Sequence, residues 1–130
     1  MQITHHKGLL GELAFTFRLI QKGYTILSPI NPNSSYDLVA EKNGIFTRIQ
    51  VKYCTPLNGR LRIELDRPER SALNYRERGV DAMGAYDGKN NKFYLIPMKE
   101  IKSKDEIWLR VEKPRNSQVK NINSAEKFEI

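Results

Sequence analysis

An α/β fold built on a central mixed sheet is what this sequence of 130 residues predicts, and three observations carry that expectation. The chain opens with a segment of helical periodicity. A series of short apolar-rich runs of strand length follows. Two of those runs are joined by Asn43-Gly44, a dipeptide that strongly favours a two-residue hairpin turn. The length falls below the ~150 residues of a typical domain, so a single domain over residues 1–130 is expected. Beyond Pro114 the composition turns polar, which predicts a loosely held C-terminal tail from about residue 114.

The helix is expected over residues 7–22, KGLLGELAFTFRLIQK. Leu9, Leu13, Phe17 and Ile20 recur at helical spacing and form its apolar stripe, with Gly23 as the stop and Thr4 as a candidate cap. Tyr24–Ile30 reads as a short strand, followed by the loop NPNSS. Residues 36–42 and 45–53 are the two arms of the hairpin. A further strand is expected over 60–65, and the Arg-rich stretch 67–79 reads as a short helix or a loop. Strands at 80–86 and 92–96 are joined by DGKNN, and 106–111 reads as an edge strand.

The turn sets a register. With Asn43 and Gly44 at its tip, residue 42 faces 45 and Asp37 faces Gln50. Side chains alternate between faces with period two. One face then carries Tyr36, Leu38, Ala40, Ile45, Ile49, Val51 and Tyr53, which is a core face. The other carries Asp37, Val39, Glu41, Arg48, Gln50 and Lys52. An acid, an amide oxygen and a lysine on adjacent strands suit metal-assisted phosphodiester hydrolysis. Hard oxygen ligands suit Mg²⁺. The metal can polarise a phosphate and acidify a water. The Lys52 ammonium can orient that water or offset charge in the transition state. A solvated polar face is the commoner origin of any one of these residues, but the trio in register favours a site. Glu12, one position off the helix stripe, can reach over the sheet to join it.

Composition bounds the partners. Lys and Arg total 22 against 15 Asp and Glu, a net charge of +7. A compact basic domain attracts polyanions, with nucleic acid the usual one. No apolar run approaches the ~18 residues of a membrane span. The N-terminus lacks the apolar core of a signal peptide. A lone cysteine, Cys54, excludes a disulfide framework, so a reducing cytoplasmic setting is expected. Cys54 itself reads as a buried structural thiol, and the adjacent His5 and His6 as incidental. Arg60 and Arg62 alternate with Leu61 and Ile63, so both face one side, as on a β-ribbon that could enter a major groove. With Arg67, Arg70, Arg76 and Arg78 they form the densest basic region, and all six are candidate DNA contacts. Nearby acids, Glu64, Asp66, Glu69 and Glu77, offer a rival role in ion pairs. Tyr75 could stack or pack. Tyr86, Phe93, Tyr94 and Trp108 read as core or interface.

Gly11-Glu12-Leu13-Ala14 on the first helix, Tyr36-Asp37-Leu38 ending a loop, and Gln50-Val51-Lys52 on the next strand resemble the PD-(D/E)XK nuclease superfamily in type and order. The segment 80–97 resembles a branch that includes a bacterial group I intron homing endonuclease, and archaeal Holliday junction resolvases share the early motif order. The resemblance covers roughly residues 7–97. It implies a restriction-endonuclease-like core, with a central mixed sheet flanked by helices. It also implies that Asp37 bridges metal, that Lys52 is the motif lysine and that Glu12 is the helix acid. Gln50 and the backbone carbonyl of Val51 would be further ligands, with Glu12 acting directly or through water. Gln50 stands where the usual motif has Asp or Glu, so weaker metal affinity is expected. The implied function is a site-specific endonuclease using Mg²⁺ (or Mn²⁺) on double-stranded DNA. The alternatives are a Holliday junction resolvase and a non-catalytic DNA-binding module. One site per chain requires a homo-oligomer, at least a dimer, to cut both strands, and the homing resemblance implies a tetramer.

Overall fold

The computed structural model describes residues 3–65, 75–103, 105–112 and 124–130. Helix α1 spans Ile3–Gln21. It closes at Gly23, whose amide donates to Ile20 O (3.0 Å) while Tyr24 N–H returns to Leu19 O (3.0 Å). That pair of bonds is a Schellman motif, which satisfies carbonyls the helix end would otherwise leave open. The strands follow as β1 (Thr25–Leu27), β2 (Leu38–Lys42), β3 (Ile45–Cys54), β4 (Arg60–Glu64), β5 (Ala82–Asp87), β6 (Lys92–Pro97) and β7 (Glu106–Arg110).

Five strands form one mixed sheet in the order β1-β2-β3-β5-β6. Among the described residues, β3 and β5 of this sheet run parallel and its other neighbours are antiparallel. The hairpin register is the one the turn predicts, from Lys42↔Ile45 to Leu38↔Ile49. Asn43 and Gly44 hold φ of 54° and 80°. Two successive positive φ values are what a type I′ turn demands, and its twist matches that of the strands it joins.

The sheet is covered on both faces. Phe15 and Leu19 of α1 pack on Leu38, Ala40, Ile49, Val51 and Ala82. On the opposite face β4 and β7 pair as a two-stranded antiparallel ribbon. Its inward residues Leu61, Ile63, Ile107 and Leu109 join Met83, Ala85 and Ile96 in the larger core. A ribbon, not a second α-helix, therefore covers that face among the described residues. The remaining helical pieces there are 3-10 turns at Met98–Glu100 and Ala125–Phe128.

Two sequence expectations are corrected here. The stripe Leu9, Leu13, Phe17 and Ile20 does not face the sheet; these side chains are 51–65% exposed. The buried face is instead Gly11, Phe15 and Leu19. The reason is steric fit. A Cβ on Gly84 would lie 2.9 Å from Phe15 Cζ, so the missing side chain of β5 is the recess that takes the Phe15 ring. Gly11 lies against Tyr53 of β3, close enough that a Cβ there would make ordinary van der Waals contact at 3.6 Å.

The second correction concerns the tail. Residues 113–123 lie outside the described residues, but 124–130 return to the sheet. Ala125 is buried, Ile130 N–H donates to Phe93 O (2.9 Å), and the Arg18 guanidinium donates to Ile130 O (3.0 and 3.2 Å). The helix or loop expected over 67–79 is described only from Tyr75, where the chain turns.

Candidate active site

The site is built where β2 stops and β3 continues. The register set by the turn predicts Asp37 opposite Gln50, and that expectation fails at this last position. Instead Asp37 N–H donates to Ile49 O (2.9 Å), the residue already opposite Leu38. Two residues thus share one partner, as in a β-bulge, a device that re-aims a side chain. The Asp37 carboxylate turns along the strand edge and its Oδ2 accepts a hydrogen bond from Val51 N–H (2.8 Å). Groups two residues apart on a strand point to the same side. The Val51 carbonyl therefore faces this same side of β3, beyond the start of β2.

Glu12 comes to this edge from α1. Its carboxyl is raised above the ordinary range, first by burial and then by the negative charge of Asp37. Both effects disfavour the ionised form, and the second means that Asp37 lies within electrostatic reach of Glu12. Gln50 and Lys52 are half-buried on β3, on the sheet face opposite the helix. The hydrogen bond to Val51 N–H holds the Asp37 carboxylate beside the backbone of β3, at the edge where β2 begins.

Lys52 has a partner that sequence reasoning left undecided. Its Nζ donates to Tyr75 Oη (2.9 Å) and sits 4.9 Å from the centre of the Tyr75 ring. Tyr75 is 1% exposed, so the ring is a fixed wall. The arginine of Arg78 lies on the same ring at 5.8 Å. Nothing in the linear spacing of 52 and 75 could have signalled this contact, because β4 and a long connection separate them.

Cys54 behaves as expected. It is buried, and burial pushes its thiol up to about 12, with Lys52 opposing that shift only in part. Such a thiol is no nucleophile. Among the described residues, no group of three or more His, Cys, Asp and Glu is placed to hold a metal ion. Any metal would rest on Asp37 and Glu12 supplemented by neutral oxygens. That set has the right chemistry: hard donors only, with two carboxyl groups whose mutual repulsion a cation would relieve.

The six candidate DNA arginines separate. Arg60 and Arg62 do share the outer face of the ribbon. Arg60 stacks on the Trp108 ring at 4.7 Å and stands opposite Arg110. Arg62 is held by Glu64 (2.8 Å) and Glu106, the ion-pair role its acidic neighbours suggested. Arg76 donates to the backbone carbonyls of Met98 and Ile101, which commits its guanidinium to the fold. Arg67 and Arg70 lie outside the described residues. Trp108 is partly exposed on that ribbon face rather than buried, which leaves Arg60, Trp108 and Arg110 as a basic, aromatic surface.

A model of the family described as PD-(D/E)XK endonuclease matches residues 2–130. Among solved structures, one described as a bacterial homing endonuclease, I-Ssp6803I, superposes with a TM-score of 0.74 and 26% sequence identity, covering 99% of this chain and 88% of that one. Among curated proteins, Protein 5.3 of Escherichia phage T7 is 34% identical over 55 residues, or 42% of this chain. The match spans 47%, about half, of that phage protein.

Proposed function

The chain belongs to the PD-(D/E)XK endonuclease family, and from that premise we propose that it is a site-specific endonuclease that hydrolyses phosphodiesters of double-stranded DNA with a divalent metal. The observation that carries the proposal is the Asp37 carboxylate, bulged out of register, held by Val51 N–H and electrostatically coupled to Glu12. The 26% identical neighbour described as a homing endonuclease supports the site-specific, double-stranded reading.

Asp37, the side-chain oxygen of Gln50 and the carbonyl of Val51 would hold Mg²⁺ or Mn²⁺, with Glu12 as a further ligand directly or through water. When bound, such an ion supplies a Lewis acid for the scissile phosphate and lowers the pKa of a water. Gln50 brings an oxygen without charge, so its affinity for the ion is lower than a second carboxylate would confer. An ammonium has three donors, and one Lys52 hydrogen goes to Tyr75 Oη. The others are left to hold a phosphate oxygen or orient the attacking water. The hydrogen bond from Val51 N–H aims the Asp37 carboxylate. One domain supplies one such site, so both strands of a duplex require at least two copies.

The test is cleavage of plasmid and of a genomic DNA library with and without Mg²⁺, using the wild type and Asp37→Asn. The wild type should cut only with metal, leaving defined ends. Asp37→Asn should lose cleavage while its metal-free DNA affinity stays the same or tightens, because a carboxylate facing phosphate is gone. Metal-dependent cutting by Asp37→Asn would refute the assignment.

A further inference from the structure

We propose that the outer face of α1 is the surface through which two copies of this chain pair, helix against helix, to form the double-strand-cutting unit. The inference deepens the endonuclease reading by naming its partner surface, and it rests on that reading only for the need of two sites.

Leu9, Leu10, Leu13, Phe17 and Ile20 are each between 48% and 65% exposed. At 100° per residue they fall within roughly a quarter turn of the helix and extend about 16 Å along its axis. The opposite side of the same helix is already packed, with Phe15 and Leu19 fully buried. The helix is thus apolar on two faces, and the sheet uses only one. Scattered exposed leucines need no explanation, but a contiguous apolar patch of this size on a soluble chain marks an interaction surface.

Three features select a second copy as the occupant. The first is area. The stripe presents on the order of 500 Å² per chain, so a face-to-face pair that covers it fully would bury about 1,000 Å², the lower bound for a biological interface. The second is charge. The arc from Leu9 to Ile20 holds no charged side chain, because Glu12 and Arg18 point elsewhere on the wheel. Two copies of a chain with net charge +7 can therefore meet there without bringing like charges into contact. The third is symmetry. A two-fold axis perpendicular to the helices sets them antiparallel, which aligns their dipoles favourably and closes the assembly at two. Because Glu12 rides on this helix, pairing through it would also fix the separation of the two sites. A membrane surface is a poorer occupant: an interfacial helix turns a charged face to water, whereas the reverse face here is in the core.

The experiment is sedimentation equilibrium of the full chain without DNA or metal. It compares the wild type with Leu13→Glu/Phe17→Glu, with Leu13→Ala/Phe17→Ala, and with Ile45→Glu, an equally apolar and 70% exposed control at the hairpin tip. The wild type and Ile45→Glu should be dimers or larger at micromolar concentration. The double-glutamate variant should associate at least 100-fold more weakly with an unchanged circular dichroism spectrum. The alanine pair, which removes area and adds no charge, should fall between and guards against a folding defect in the first variant. A monomeric wild type overturns the proposal, whether or not it binds anionic vesicles, and so does a glutamate variant that still pairs. Metal-dependent nicking is read separately. The unpaired variant should still nick one strand but lose double-strand breaks. Absence of nicking in every variant, with pairing intact, would count against the endonuclease reading and leave the interface standing.

Discussion

A single hydroxyl determines where the Lys52 ammonium rests. Tyr75 offers both a ring face and an oxygen, and its burial makes the oxygen a fixed point. Tyr75→Phe keeps the ring and its packing but removes the acceptor. The loss of one hydrogen bond to a charged group costs about 1.5–3 kcal/mol, or roughly one to two orders of magnitude in rate if it is felt only in the transition state. We expect kcat for cleavage to fall by that amount with DNA affinity unchanged, and Lys52→Ala to fall further. Equal losses in kcat and affinity, or none in kcat, would show that Tyr75 does not position the lysine. Asp37 illustrates the same scale from the opposite side. Its residue type was legible as a candidate ligand, but its aim was not, because one hydrogen bond to Val51 N–H and a one-residue bulge turn it out of the simple alternation.

At the scale of elements, α1 and β5 lock through a recess. Gly84 accommodates Phe15, and an added Cβ would also lie 3.2 Å from Ile49 Cγ2. All of these groups are in the helix-side core, so none can yield cheaply. Gly84→Ala should destabilise the fold by about 1–3 kcal/mol, the range for overpacking. Phe15→Leu, itself a destabilising change, should recover part of that loss in the double variant. Denaturant midpoints of the two single variants and the double variant check it; additive losses would mean that the contact is not the cause. The ribbon of β4 and β7 shows a further division within one element. Its inner residues hold the core, while its outer face separates Arg62, neutralised by Glu64 and Glu106, from Arg60 and Arg110 beside Trp108. Two arginines directly across a ladder repel each other, which an arriving phosphate would relieve.

For the whole molecule, the net charge of +7 is the dominant long-range term. Duplex binding should weaken steeply with salt as phosphates release their counterions. Arg60→Ala should lower the slope of log affinity against log salt by about 1, the signature of one lost phosphate contact. Arg62→Ala should change it less, because that guanidinium is already paired. Binding titrations over a range of salt concentrations, with identical duplexes, measure both. A flat dependence for the wild type would remove the phosphate backbone as the main source of affinity. No helix among the described residues is long and apolar enough to cross a membrane.

The sequence by itself determined the local structure: the helix, the strands, the Asn43-Gly44 turn and the register that follows from it as far as Leu38↔Ile49. These were legible because each depends on neighbours in the chain, whose periodicity and turn chemistry are written side by side. It also carried the residue types and order by which the family is recognised. Tertiary structure alone decided which apolar side of α1 is buried, because that choice depends on the Gly84 recess, 69 positions beyond Phe15. It also decided that Tyr75 meets Lys52, that Arg76 serves two carbonyls, and that the last residues return to Phe93. Each of these is a contact between segments far apart in the chain. Periodicity shows that a face is apolar, but only the shape of the surface opposite determines whether the face is covered.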